Sequence, residues 1–294
     1  MRTRPALLVA TAVAATLTLG ACTSASQDQG GSAPSAAATV VKDEAIAALV
    51  PAAVAADGKL TVAAELSYAP LEFVDADGKT PVGLDIDIAT AIATVMGLEV
   101  DVQSAQFDSI IPAIGTRYEV GVSAFTITPE RLETVTMVSY FSAGSQLAVQ
   151  AGNPDGVDPD DLCGLTVGVQ TGTVQQEELE ELSAACETPI EILPYDSQAT
   201  VTANLVGGKL QAMYADSPIT AYAVEQADGA LETLGEIRDA APYGVVVAKD
   251  DPELAEAVRA ALQQLMDDGT LAEIAAHWGN EAGALTTAEI NPAV

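Results

Sequence analysis

Apolar side chains fall into two alternating rhythms from Lys59 onward. Short runs such as Leu60-Thr61-Val62-Ala63-Ala64 predict strands. Longer runs with apolar residues three and four apart predict helices. Between residues 85 and 96, Ile86, Ala89, Ile92, Ala93 and Met96 share one helical face, and Gly97 supplies the stop. The same reading gives a turn at residues 75–78 after Phe73-Val74, a strand at 98–103, a helix at 108–116 and a strand at 120–124. A polar loop at residues 152–161 opens a second series. Strands are predicted at 166–170, 190–193, 210–215 and 245–248, and helices at 174–186, 198–206, 218–225, 252–266 and 271–278. Pro252 at the first helical position suits the start of the long helix. Repeated strand–helix units imply mainly parallel sheets with helices on both faces. There are too many units for one compact sheet, so the pattern predicts two α/β lobes.

The first residues follow neither rhythm. Arg2 and Arg4 precede an apolar run over residues 6–19, which ends in Leu19-Gly20-Ala21-Cys22. A basic head, a short apolar middle and a small-residue cleavage site describe an export signal over residues 1–21. The run is shorter than the ~20 residues a bilayer span needs. The ending resembles the bacterial lipobox, which implies a Cys22 thiol carrying a diacylglyceryl anchor to the cell membrane. Residues 22–56 then read as a tether. Its first part is Ser, Ala, Gln, Gly and Pro with few large apolar side chains, and residues 40–56 can form a short helix.

Composition narrows the partners. Eleven Lys and Arg stand against 42 Asp and Glu, a formal charge of −31. Such a surface repels phosphate backbones and excludes nucleic acid as the partner. Beyond Cys22 the cysteines are Cys163 and Cys186, and an even pair outside the cytoplasm is normally a disulfide. A metal site would need more ligands, and the one histidine, His277, lies far along the chain beside Trp278 as a packing residue. No metal or cofactor is expected.

Three fragments carry candidate chemistry. In Thr128-Pro129-Glu130-Arg131, Thr suits an N-cap and Pro the next position, which puts Arg131 in the first turn of a short helix. An arginine fork beside free helix N–H groups receives a carboxylate well. Pairing of Arg131 with Glu133 on the surface is the plain alternative. Gln170-Thr171-Gly172-Thr173-Val174 lies between a strand and a helix, where small residues let backbone N–H groups approach an anion. It lacks the glycine spacing and lysine of a phosphate loop. In Tyr214-Ala215-Asp216-Ser217-Pro218, Asp216 ends a strand where open α/β sheets place ligands, or simply caps the next helix.

At these residues the chain resembles the extracellular solute-binding proteins of polar amino acid importers. The resemblance rests on Ser67-Tyr68-Ala69-Pro70-Leu71-Glu72-Phe73, Gly83-Leu84-Asp85-Ile86-Asp87-Ile88-Ala89, Phe107-Asp108-Ser109-Ile110-Ile111-Pro112-Ala113 and residues 126–131, 169–173 and 215–218, in that order. It implies a periplasmic-binding-protein fold: two lobes, each a central, mostly parallel sheet flanked by helices, joined by two crossing strands and closing like a hinged trap. The crossings fall near residues 141–146 and 241–245. Residues 57–142 and 245–294 then form lobe 1, and residues 143–244 form an inserted lobe 2.

The resemblance also assigns roles. Arg131 grips the ligand's α-carboxylate, helped by Thr126, the backbone near Ala124, and Thr173 from the other lobe. Asp216 pairs with the α-ammonium. Tyr68 and Phe107 wall the ligand's apolar body, with Phe125 as a third wall or core residue. Glu65 faces the ligand side chain, and Ser123 and Gln170 join the pocket. Leu71 and Leu84 replace the family's usual Phe, as core changes. Glu65 is longer than the family's Asp, and Gln170 is neutral where some relatives carry Lys. An acidic Glu65 without that Lys favours a cationic or amide side chain, such as arginine, lysine, ornithine or glutamine, with a compact zwitterion such as ectoine as the alternative. The implied partners are an ABC permease and ATPase, served by a monomer. The same fold hosts dehydratases and lytic domains, and a sensor lipoprotein would share the site. Catalysis is disfavoured because no Ser–His or Cys–His pair is available.

Overall fold

The computed structural model describes residues 40–294, together with Ala37. The expected signal segment, Cys22 and the tether up to residue 39 otherwise lie outside the described residues. Asp43 caps α1 (Glu44–Ala47) by accepting from the Ala45 and Ile46 N–H groups. After α2 (Ala52–Ala55), the chain enters β1 (Lys59–Ala64), β2 (Ser67–Tyr68), β3 (Glu72–Val74) and β4 (Pro81–Val82). These lead into α3 (Leu84–Val95), β5 (Glu99–Ser104), α4 (Phe107–Ala113) and β6 (Val120–Gly121). The helix predicted over 108–116 is shorter, because the chain turns extended at Ile114 after Pro112. The strand predicted over 120–124 is cut to two residues, because Ala124 adopts a positive φ of 50° and leaves the sheet.

α5 (Pro129–Thr134) runs directly into β7 (Val135–Gln150). The second series follows: β8 (Thr166–Gln170), α6 (Val174–Ala184), β9 (Glu191–Tyr195), α7 (Gln198–Val206), β10 (Ala212–Asp216) and α8 (Ser217–Gln226). β11 (Leu231–Ala248) returns to the first series, and α9 (Pro252–Asp267) and α10 (Thr270–His277) close the fold. α9 buries Leu254, Ala255, Val258, Ala261, Leu262 and Leu265, one helical stripe. That stripe joins Leu60, Val62, Ile88 and Ile92 in one core, together with the fully buried Leu71 and Leu84. Around β8, Val167, Val169, Leu179 and Leu147 make a separate core.

One sheet runs through the whole unit in the order β5-β1-β6-β11-β7-β10-β8-β9. β5, β1 and β6 are parallel at one end, and β10, β8 and β9 at the other. β7 and β11 lie antiparallel between them and belong to both ends. Val135–Val138 pairs with Val245–Ala248, while Leu147–Gln150 pairs with Leu231–Leu234. The crossing segments run side by side, with Phe141 opposite Tyr243 and Ala143 opposite Ala241. Register shifts between Leu234 and Gly244 bend the ribbon there. Gly144 is required at this bend, since a Cβ would sit 2.3 Å from the Arg238 carbonyl oxygen. The result is a two-lobe α/β fold with crossing strands, as the resemblance implied. Among the described residues no helix is long and apolar enough to cross a membrane.

Cys163 and Cys186 form a disulfide that ties the segment before β8 to the end of α6, 23 residues apart in sequence. Closing a loop of that length stabilises a fold by about 3 kcal/mol in the chain-entropy description. Replacing both cysteines by serine is expected to lower unfolding free energy by about that amount in urea. A change below about 0.5 kcal/mol would show that the open loop keeps its order without the bridge.

Candidate functional site

The local sequence at Arg131 folds as its residues dictate. The Thr128 side chain accepts from the Arg131 N–H at 3.2 Å, and Pro129 starts α5. The guanidinium is thereby turned toward the middle of the sheet. Nη1 donates to the Thr126 carbonyl at 2.8 Å and Nη2 to the Gly172 carbonyl at 3.2 Å. The guanidinium carbon lies 5.6 Å from the Phe107 ring centroid and 5.7 Å from that of Phe125. Those rings stack on each other at 4.6 Å. The alternative pairing with Glu133 is not made: among the described residues, the ion pairs involve Lys42, Arg238 and Arg259. Burial lowers the Arg131 pKa from its ordinary value, opposed by the charges of Glu177 and Asp216.

Asp216 sits at the junction of β10 and α8. It holds the N-cap position, yet its side chain makes no capping bond. It faces the cleft instead. Oδ2 accepts from the Tyr68 hydroxyl at 2.6 Å, and Oδ1 accepts from Gln175 Nε2 at 3.0 Å. Burial raises its pKa, while the hydrogen bonds from Tyr68 and Gln175 pull it back. Glu65, just past β1, accepts at Oε2 from the Ser67 hydroxyl at 2.9 Å and from Gln170 Nε2 at 3.1 Å. Burial again raises its pKa above the usual carboxylate value.

These side chains line a small, nearly filled cavity in the cleft. Nine of the sequence-predicted residues line it: Glu65, Tyr68, Phe107, Ala124, Thr126, Arg131, Gln170, Thr173 and Asp216. Two expectations need correction. Ser123 does not reach the cavity. It is fully buried behind it, accepting from the Glu65 N–H and donating to Glu72 Oε1 at 2.6 Å. The Ala124 N–H cannot serve a ligand carboxylate, because it already donates to Asp85 Oδ2 at 2.7 Å. Phe125 is core, backing Phe107 from behind.

Sequence reasoning missed Glu72, Val174 and Gln175, which also line the space. Glu72 had a readable signal: it pairs with Tyr68 across the β2–β3 hairpin and so shares its face. Gln175 has a positioning role, since its amide bridges Ser145 Oγ and Asp216 Oδ1. Thr173 caps α6, accepting from the Gln176 N–H and donating to the Gln170 carbonyl.

The residues from the two ends of the sheet are in contact across the cleft. Tyr68 meets Asp216, Glu65 meets Gln170, Arg131 meets Gly172, and Ser67 Oγ lies 2.9 Å from Ser197 Oγ. The cleft is closed. A half-buried arginine on one side and a buried aspartate on the other, with aromatic rings beside them, are groups of the kind that pair with the two charges of a small zwitterion.

Fold and site together define a two-lobe α/β binding protein. The chain belongs to the bacterial extracellular solute-binding proteins, family 3, whose profile it matches over residues 60–281. It is 38% identical over 288 residues to the arginine-binding protein ArgT of Corynebacterium glutamicum, covering 95% of this chain and 93% of that one. It is 33% identical over 227 residues to the probable ABC transporter arginine-binding protein ArtJ of Chlamydia trachomatis, covering 75% and 86% of the two chains. Among solved structures, an ancestral arginine-binding protein bound to arginine superposes with a TM-score of 0.71 at 32% identity, covering 76% of this chain and 98% of that one.

Beneath the cavity, Asp85 accepts from the Ala124 N–H and from the Tyr140 hydroxyl at 2.7 Å, and burial pushes its pKa up to about 7. A carboxyl group raised in this way holds its proton in the native state after the unfolded chain has lost it. Between the ordinary value of 3.8 and about 7, the native state binds more protons, so stability falls as pH rises through that window. Glu65, Glu72 and Asp216 shift in the same direction. The ligand-free protein is therefore expected to have a higher urea midpoint near pH 5 than near pH 7.5, and Asp85→Asn should reduce that difference. A midpoint that climbs steadily with pH would contradict this account.

Proposed function

We propose that this chain is the substrate-binding component of an ABC importer and that it captures an L-amino acid with a cationic or amide side chain. The observation that carries the reading is the opposition of Arg131 and Asp216 across one closed cavity. A zwitterion is costly to desolvate unless both of its charges are paired. Arg131 takes the α-carboxylate and Asp216 the α-ammonium. Tyr68 and Phe107 cover the apolar stem, and Glu65 and Gln170 meet the far end of the side chain.

The charge inventory supports a cationic ligand. Glu65, Glu72 and Asp216 line the cavity, with Arg131 as the one cation among the lining residues. A guest with two positive groups and one carboxylate offsets that imbalance better than ectoine or a neutral amino acid. The names of the relatives, arginine-binding proteins, point the same way. Binding and release is the activity that membership of a solute-binding family supports.

Residues 57–142 and 245–294 serve as lobe 1 and residues 143–244 as lobe 2, hinged where β7 and β11 lose register. Both charge pairings form only on closure, so the ligand binds the closed state better and shifts the equilibrium toward it. A permease and its ATPase then read the closed form. Lipidation at Cys22 holds the monomer to the membrane after residues 1–21 are removed.

A thermal-shift panel of L-amino acids and compatible solutes checks this reading. Arginine, lysine, ornithine or glutamine is expected to raise the melting temperature, with about 4 kcal/mol of added stability at a thousandfold excess over Kd. Arg131→Ala should remove the shift. A flat panel, or a shift of equal size in the Arg131 variant, would sink the assignment.

A further inference from the structure

Among the carboxyl groups that line the cavity, Glu72 is the one with a fully buried oxygen that no donor reaches, as is also true of Asp85 Oδ1 beneath the cavity. Both oxygens of Asp216 receive donors, and three donors converge on Oε2 of Glu65. Glu72 is 1% exposed. Its Oε1 receives the Ser123 hydroxyl, while Oε2 is buried with no hydrogen-bond partner. The same residue lines the cavity. A buried oxygen without a donor, on a residue that lines the cavity, is where a missing donor belongs.

The groups facing Glu72 are mostly acidic. Asp85 of α3, Glu65 beyond β1 and Asp216 at the end of β10 act on it electrostatically, and it acts in turn on Tyr68 of β2 and Tyr140 of β7. Arg131, the cation in the lining, is already engaged by two carbonyl oxygens. With no positive group assigned to it, an ionised Glu72 is poorly supported in the empty site. Burial and the Asp85 charge both favour its neutral form.

We propose that Glu72 is a further ligand-binding residue, whose unpaired oxygen accepts from a cationic ligand side chain in exchange for a proton. The proposal rests on the reading of the cavity as an amino-acid site and adds a proton to its stoichiometry. In the empty site Glu72 is a carboxylic acid. As the ligand cation arrives, the O–H bond breaks, the proton passes to bulk water and the carboxylate stays behind to pair with the cation. Net charge in the cavity is conserved by the exchange. A neutral side chain releases no proton and gains no ion pair, so the device selects for charge.

Linkage gives the sign. Where the empty site holds a proton that the complex lacks, affinity for the cationic ligand weakens as pH falls, by up to about tenfold per pH unit. Isothermal titration of L-arginine and its neutral isostere L-citrulline, in buffers of unlike ionisation enthalpy near neutral pH, reads the exchange directly. For the unmodified protein the expected result is release of more than half a proton per arginine bound and none per citrulline. With Glu72→Gln, proton release on arginine binding should vanish, and arginine should lose at least tenfold more affinity than citrulline. Ser123→Ala provides a milder variant. It removes a hydrogen bond that favours the ionised form, so the pH at which arginine affinity falls should move upward. Arginine binding with no buffer dependence, proton release unchanged in Glu72→Gln, or a pH midpoint unmoved in Ser123→Ala overturns the proposal while leaving the amino-acid reading standing. Failure of every amino acid to bind overturns both.

Discussion

The guanidinium of Arg131 lies against two stacked rings, donates to two backbone carbonyls and has no carboxylate at ion-pair distance. Carbonyl oxygens and ring faces hold a cation in place without neutralising it. Its charge is thus fixed in direction and still available. Much of the surrounding structure follows from this. The short helix α5 exists to orient the group, with Thr128 and Pro129 setting its first turn. The Gly172 carbonyl reaches it from the other lobe, so the arginine also registers whether the cleft is shut. Gly172 has to be small for that approach: its φ is +78°, and a Cβ there would stand 2.8 Å from Cβ of Asp108.

The two long strands connect the two sides of that arrangement and would serve as the hinge of the proposed closure. β7 and β11 are continuous across the molecule, so both ends of the sheet stay joined through the same pair of strands. They are irregular only at the crossing, where register shifts cluster and Gly144 packs against the opposite backbone. Bending concentrates where ladder bonds are already missing. The contacts that span the cleft, by contrast, are side-chain hydrogen bonds such as Tyr68 to Asp216 and Gln170 to Glu65. Water can replace these on opening at a modest net cost of about 1 kcal/mol each.

The periodic elements were legible in the sequence because their apolar residues pack against one surface. α3 and α9 follow their patterns, and β1 and β8 lie within a residue of the predicted strands. β7 left no such trace. It is buried on both faces through its first half, so no alternation marks it, and only the family resemblance located its crossing. The first half of β11 is partly exposed and carries Glu232, Glu236, Arg238 and Asp239, which read as loop. At the site, Arg131 and Asp216 stood out as candidates because helix starts and strand ends have local signatures, and the family resemblance supplied their expected roles. Ser123 was misplaced by one layer, since a hydroxyl serving a ligand and one serving a buried carboxylate look alike in sequence. Glu72 was passed over because its role depends on the hairpin that sets it opposite Tyr68.

Closure of the empty protein and closure around a ligand are not electrostatically equivalent. Shutting the cleft brings Asp216 toward Glu65 and Glu72, and these carboxyl groups interact unfavourably. Burial raises the pKa of each, and at Glu72 the neighbouring carboxylates raise it further, so the group retains its proton more readily. Without a cation in the gap, the closed state must either carry extra protons or bear the repulsion, and both penalise it relative to the open state. On the proposed reading, a cationic guest removes the penalty and adds the attraction of its own ends to Arg131 and Asp216. The ligand's differential affinity for the closed form therefore has two sources, pairing gained and repulsion relieved. A population shift of this kind needs several kcal/mol of difference between states, and a cluster of acids around one sheltered cation is a compact means of supplying it.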